Sequence, residues 1–132
     1  MWLPDTNAWI ALINPRDSRV KGRFESHALH SIYLCDVVLA ELYYGAFRST
    51  RRAENLALLD RLVPTFISLP FDGAAARACG ELRAALAAAG TPIGPYDLQI
   101  AAIALVHNLT VVTHNSAEFS RVPGLAWADW EM

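Results

Sequence analysis

The chain has 132 residues, 54% of them hydrophobic and 18% charged, with a net charge of −2. That is enough apolar material for one core and too little charge for a disordered chain, and the overall balance is not that of a basic nucleic-acid binder. The longest near-continuous apolar run, residues 100–106, is too short to span a bilayer, and the N-terminus lacks the basic start of a signal peptide, so one soluble, cytoplasmic domain over residues 1–132 is expected.

The first stretch, MWLPDTNAWIALI, reads as a strand at 1–3, a polar trio Asp5-Thr6-Asn7, and a helix at 7–13 stopped by Asn14-Pro15. A second helix follows at 18–29, and a short strand at 32–34. Asp36 is placed to N-cap a third helix that runs to Ala46. A fourth helix spans 52–63 and is ended by Pro64; a strand at 66–69 comes next. Asp72 is placed to cap a long Ala-rich fifth helix closed by Gly90. Pro95 can occupy the first turn of a sixth helix that runs to His107. LTVVTHN then gives an apolar, β-branched strand at 110–113 that ends abruptly in polar residues, and a weak strand lies at 125–127. Strands separated by helices predict an α/β domain with a mainly parallel sheet. Pro4 suggests that strand pairing ends there.

In open α/β sheets the functional crevice lies beyond the carboxyl ends of the strands. Two polar trios fall at such ends, Asp5-Thr6-Asn7 and Thr113-His114-Asn115. Asp5 or Thr6 could instead simply cap the next helix. Glu41 lies in DVVLAELYYGA, on a stripe with Val37, Val38, Tyr44 and Gly45. A lone carboxylate there costs several kcal/mol of desolvation unless it is paired or metal-bound, Arg48 being one candidate partner. Asp97 falls in the first turn of the sixth helix, where the dipole favours an anion, on a face that packs toward the sheet. Asn115 and Glu118 could form a helix cap with an acidic third residue.

Taken together, Asp5, Glu41 and Asp97 come from distant segments and are expected to converge at one end of one sheet. Carboxylates that close raise one another's pKa, and a divalent cation relieves that. All-oxygen ligands select Mg²⁺ or Mn²⁺ over zinc, and such a cage at an open crevice suits phosphoryl transfer. Neither Cys35 with Cys79 nor any histidine pair has the spacing of a zinc site. His114 stands beside the proposed site. Ten of the eleven basic residues are arginine, grouped at Arg16, Arg19, Lys21 and Arg23 and at Arg48, Arg51 and Arg52. Arginine suits bidentate phosphate contacts, although either group could be a solvated helix face.

LPDTN, VVLAELYYGA, TPIGPYDLQIAAIA, LTVVTHNSAEFSRVPGL and the closing ADW, in this order, resemble the PIN domain, and within it the VapC toxins of bacterial VapBC toxin–antitoxin pairs. The resemblance implies a three-layer α/β/α sandwich around a five-stranded mainly parallel sheet and a Mg²⁺- or Mn²⁺-dependent endoribonuclease. It places the family's acids on Asp5, Glu41 and Asp97, and its last motif on Thr113, Asn115, Glu118 and Phe119. Some members carry a fourth Asp where this chain has Asn115, which leaves Asn115, Glu118 or water to complete the metal shell. It further implies a homodimer, a wrapping VapB-like antitoxin and an RNA substrate, with tRNA among the substrates of the most similar subset. In that scheme Thr6 and Asn7 orient Asp5, and Asn115 hydrogen-bonds a carboxylate or phosphate. The contrasting reading is a catalytically silent PIN-fold regulatory binding module acting through a protein partner. A haloacid-dehalogenase-like phosphatase wants Asp-x-Asp where this chain has Asp5-Thr6-Asn7, and a phospho-receiver domain wants a late lysine where the only lysine is Lys21.

Overall fold

The computed structural model describes residues 1–13 and 18–131. In chain order these form β1 (Trp2–Pro4), α1 (Thr6–Ile13), α2 (Ser18–Glu25), β2 (Leu34–Cys35), α3 (Asp36–Arg48), α4 (Arg52–Leu62), β3 (Ser68–Leu69), α5 (Gly73–Ala88), α6 (Pro95–His107), β4 (Thr110–Val112), α7 (Ser116–Phe119) and β5 (Trp127–Ala128). Arg16 and the expected stop at Asn14-Pro15 lie outside the described residues. No described helix is long and apolar enough to cross a membrane.

All strand pairs are parallel. One ladder runs β1-β4-β5 and a second joins β2 to β3. A single bridge, Trp2 to Ile32, with Tyr33 N–H donating to the Trp2 carbonyl at 2.9 Å, links them in the order β3-β2-β1-β4-β5. The expected five strands are therefore present, but as two ladders joined at one point. Pro4 explains the seam. Asp5 N–H donates to Val112 O at 2.9 Å, so odd residues of β1 face β4 and Pro4 faces β2. With no N–H on that side, pairing to β2 stops, while pairing to β4 continues through Pro4 to Asp5.

Right-handed crossovers in this order put α1–α4 on one face and α5–α7 on the other, a helix–sheet–helix sandwich. Packing follows that division: α1 meets α2 and α3, α3 meets α4, α5 meets α6, and α6 meets α7, with α3 and α6 also in contact. Leu98 and the run from Ile100 to Ala104 are buried, so α6 is a core helix enclosed on nearly all sides. Trp9, Phe24 and Phe66 meet edge to face at 5.0–6.0 Å and lock α1, α2 and the approach to β3.

Several boundaries move for local reasons. Ser26 Oγ bonds back to Arg23 O at 2.6 Å, and the amides of Ser26 and His27 turn back, so α2 ends at Glu25 and not at 29. Phe66 N–H closes a short 3₁₀ turn onto Val63 O, which directs Phe66 to the aromatic cluster and shortens β3. Leu125 N–H likewise turns back to Val122 O, and β5 begins at Trp127. Cys35 occupies the N-cap of α3 while Asp36 is its first residue, with its carboxylate taken by Ser68 Oγ at 2.6 Å. Asp72 does cap α5, accepting Ala75 N–H at 3.0 Å, and Gly90 at φ +72° ends the segment.

Candidate active site

Asp5 leaves β1 directly into α1 and caps it. Its Oδ1 accepts Ala8 N–H at 2.9 Å, and its carbonyl accepts Trp9 N–H at 3.0 Å. The capping reading and the site reading therefore coexist in one side chain. Asp5 is only 4% exposed. Burial raises its pKa against the hydrogen bonds from Thr113 and Ala8, and the charges of Glu41 and Glu131 push the same way.

Glu41 lies in the second turn of α3. Thr6 Oγ1, in the first turn of α1, donates to its Oε1 at 2.7 Å. That bond assigns Thr6 to Glu41 and not to Asp5, and it stands where Arg48 was one candidate partner. Arg48 instead lies over the Tyr44 ring at 5.5 Å. Asn7 is exposed, and the orientation of Asp5 comes from Ala8 and Thr113.

Asp97 is the third residue of α6, whose first turn begins at Pro95 as expected. It is half-buried and pushed up to about 7, by burial first, then by the Glu118 carboxylate, then by Asp5 and Glu41. Glu118 moves down, held by the hydrogen bond with Asp97 and by Gly94 N–H and Asn115 Nδ2. The two shifts run in opposite directions because Glu118 collects the donors while its charge faces Asp97.

Asn115 Nδ2 donates to Glu118 Oε2 at 3.0 Å and to Asp97 Oδ2 at 3.3 Å. Its side chain does not cap α7, so the capping-box expectation fails there. The amide is turned to the two acids as a donor. The Thr113 hydroxyl accepts Asn115 N–H at 2.9 Å and hydrogen-bonds Asp5. Thr113 and Asn115 thus tie Asp5 to Asp97 across the ends of β1 and β4.

The three acids sense one another electrostatically. Their oxygens are not all within 4.8 Å of each other; among the described residues that closeness belongs to His114, Asp129 and Glu131. His114 Nδ1 lies 2.9 Å from Asp129 Oδ2 and 3.2 Å from Glu131 Oε2. The sequence reading missed Asp129 and Glu131 as site residues, and the closing ADW was the available signal. Of the two basic groups, Arg51 pairs with Glu54 at 3.7 Å, Arg52 Nε donates to Phe47 O at 2.7 Å and Arg19 Nη1 donates to Glu131 O at 3.3 Å.

Chemically, Asp5, Glu41 and Asp97 form an all-oxygen set with excess negative charge at the carboxyl end of a parallel sheet. A hard divalent cation fits that donor set and would neutralise the charges that add to burial in raising Asp97.

The PIN domain family model matches residues 2–125. The tRNA(fMet)-specific endonuclease VapC of Salmonella typhimurium is 39% identical over 128 residues, covering 96% of this chain and 95% of that protein. Ribonuclease VapC2 of Rickettsia felis is 33% identical, covering 99% of this chain and 98% of that protein. Among solved structures, DNA-bound VapBC from Salmonella typhimurium superposes with a TM-score of 0.90 at 37% identity, covering 98% of this chain and 97% of that one. FitAcB from Neisseria gonorrhoeae gives 0.89 at 29% identity, with both chains fully covered. A match spanning nearly the whole chain, on a fold whose hydrogen bonds join Thr6 to Glu41, Thr113 to Asp5 and Asn115 to Asp97, makes this protein a member of the PIN-domain family, similar throughout its length to the VapC ribonucleases.

Proposed function

We propose that this chain is the toxin of a VapBC-type pair, a divalent-metal-dependent endoribonuclease that hydrolyses phosphodiester bonds in tRNA. The observation that carries the reading is the grouping of acids around Asp97, which burial first, and then Glu118, Asp5 and Glu41, push up to about 7. The tRNA substrate rests on the tRNA(fMet)-specific activity of the 39%-identical Salmonella relative.

Asp5, Glu41 and Asp97 are assigned to hold Mg²⁺ or Mn²⁺, with Thr6, Thr113, Asn115 and Glu118 in supporting positions. A cation held there supplies Lewis-acid chemistry and neutralises charge at the scissile phosphate. The chain's own part is preorganisation. Ala8 N–H and the Thr113 hydroxyl fix Asp5, Thr6 fixes Glu41, and Asn115 fixes Asp97. Each carboxylate keeps its aim because a backbone or side-chain donor holds it, so little reorganisation accompanies the reaction. Glu118 carries negative charge beside Asp97, and that charge helps raise the Asp97 pKa.

A VapB-like antitoxin is the partner this reading requires. An apolar groove of about 280 Å³, lined by Ile10, Ile13, Leu42, Gly45 and Ala46, borders Glu41 and suits an apolar peptide that ends beside the acids. The test is cleavage of total tRNA by purified protein with Mn²⁺ present or chelated, with Asp5→Asn as control. Cleavage that needs Mn²⁺ and vanishes in the variant supports the proposal. A folded wild-type protein inert on every RNA returns the chain to a binding module.

A further inference from the structure

His114 lies between the two residues that tie the acids together. Thr113 hydrogen-bonds Asp5, and Asn115 hydrogen-bonds Asp97. The imidazole is itself held. Asp129 Oδ2 sits 2.9 Å and Glu131 Oε2 3.2 Å from Nδ1. The Asp129 side chain is only 8% exposed, while the His114 side chain is 67% exposed. A rigid, nearly buried carboxylate thus orients an imidazole that faces solvent. Asp129 is fixed in turn by accepting Glu131 N–H at 2.9 Å.

The position borders the reaction site. A crevice of about 20 Å³, room for roughly one water, lies among His114, Asp129, Glu131, Asn7 and Ala8, directly behind the α1 turn that Asp5 caps. The charges of Asp5 and Glu131 each reach His114, and that of Glu131 reaches Asp5. Arg19 approaches the same corner through the Glu131 carbonyl. With Nδ1 engaged, Nε2 has no protein partner among the described residues and is the nitrogen open to a substrate.

We infer that His114 is the general acid of the hydrolysis, with Nε2 donating its proton to the leaving ribose oxygen while Asp129 acts as its positioning residue. The step balances. Water forms the new P–O bond and gives its proton to solvent, and the bond from phosphorus to the ribose oxygen breaks. That oxygen keeps the electron pair and takes the Nε2 proton. Solvent then returns a proton to the neutral imidazole. The hydrogen bond with Asp129 and the charges of Glu131 and Asp129 raise the imidazole pKa, which favours the proton-carrying form a general acid needs. An acid near the acidic pocket has a clear use, because carboxylates ionised to hold a cation offer the departing alkoxide no proton.

The inference rests on the nuclease reading, and its test separates the two. An RNA containing the mapped cut is made with either the 3′ or the 5′ bridging oxygen of that bond replaced by sulfur, whose thiolate departs without a proton. In Mn²⁺, His114→Ala and His114→Gln should lose about 10²–10³-fold on the oxygen linkage and less than about threefold on one sulfur linkage. Asp129→Asn should move the alkaline limb of the wild-type pH profile to lower pH, with kcat falling more than KM changes. Equal losses on oxygen and both sulfur linkages overturn the role, as does a variant as fast as wild type on oxygen or an unmoved alkaline limb. A wild-type protein that cleaves no linkage overturns the nuclease reading and this role with it.

Discussion

Replacing Asp97 with asparagine should make the metal-free protein more stable while removing its activity. Asp97 ionises at about 7 in the folded chain against 3.8 in the unfolded chain, a displacement driven first by burial and then by Glu118, Asp5 and Glu41. The sign follows from proton counting. Between those values the folded state binds more protons than the unfolded state, so stability falls as pH rises. The contribution is whole below 3.8 and lost above about 7. Three pKa units set a ceiling of about 4 kcal/mol; because Asp97 is half-exposed, solvent screening reduces this to about 1–2 kcal/mol. The substituted side chain carries no charge at any pH, and its amide can still donate to Glu118. In chelator at pH 8, thermal unfolding of Asp97→Asn should therefore sit about 3–8 °C above wild type. At pH 5 the gap should shrink to about a third of that, since only part of the titration is complete. Adding Mn²⁺ should raise wild type and leave the variant unmoved. A variant no more stable than wild type at pH 8, or a gap independent of pH, would refute the account of Asp97.

Other outcomes follow from single contacts. Thr6→Val leaves the half-buried Glu41 without its 2.7 Å donor and should cost about 1–2 kcal/mol in denaturant unfolding, with a several-fold loss of RNA cleavage. Asp72→Ala removes the cap of α5, far from the acids, so unfolding should fall by about 1 kcal/mol at unchanged cleavage rate. Gly90→Ala forces a side chain onto φ +72° with open space around it, so backbone strain alone should cost about 1 kcal/mol, again with activity retained.

The acids were legible because each sits where a strand gives way to a helix or on an apolar helical stripe, and the chemistry of neighbouring carboxylates then asks for a cation. Their holders were less legible. Thr6 precedes the rest of α1 and looked like a companion of Asp5; its one-residue turn along the helix aims it at α3 instead. Asn115 had the pattern of a cap, but Asp97, eighteen residues away in sequence, captures its amide. Asp129 and Glu131 follow a two-residue strand too short to announce itself, and only the parallel pairing of β5 with β4 carries them to His114. The division of the sheet at Pro4 was half visible. A missing N–H was certain from the sequence, whereas which neighbour it faced depended on register.

Register has a further consequence for how the protein is made. Trp2 pairs with Thr110, so the opening strand waits through most of translation for its neighbour. Thr113, which hydrogen-bonds Asp5, and Asn115, which hydrogen-bonds Asp97, emerge later still. A nascent chain on the ribosome therefore carries its acids unassembled until nearly all of it has left the exit tunnel. A parallel topology with such distant partners makes completion of the acid cluster one of the last events of folding.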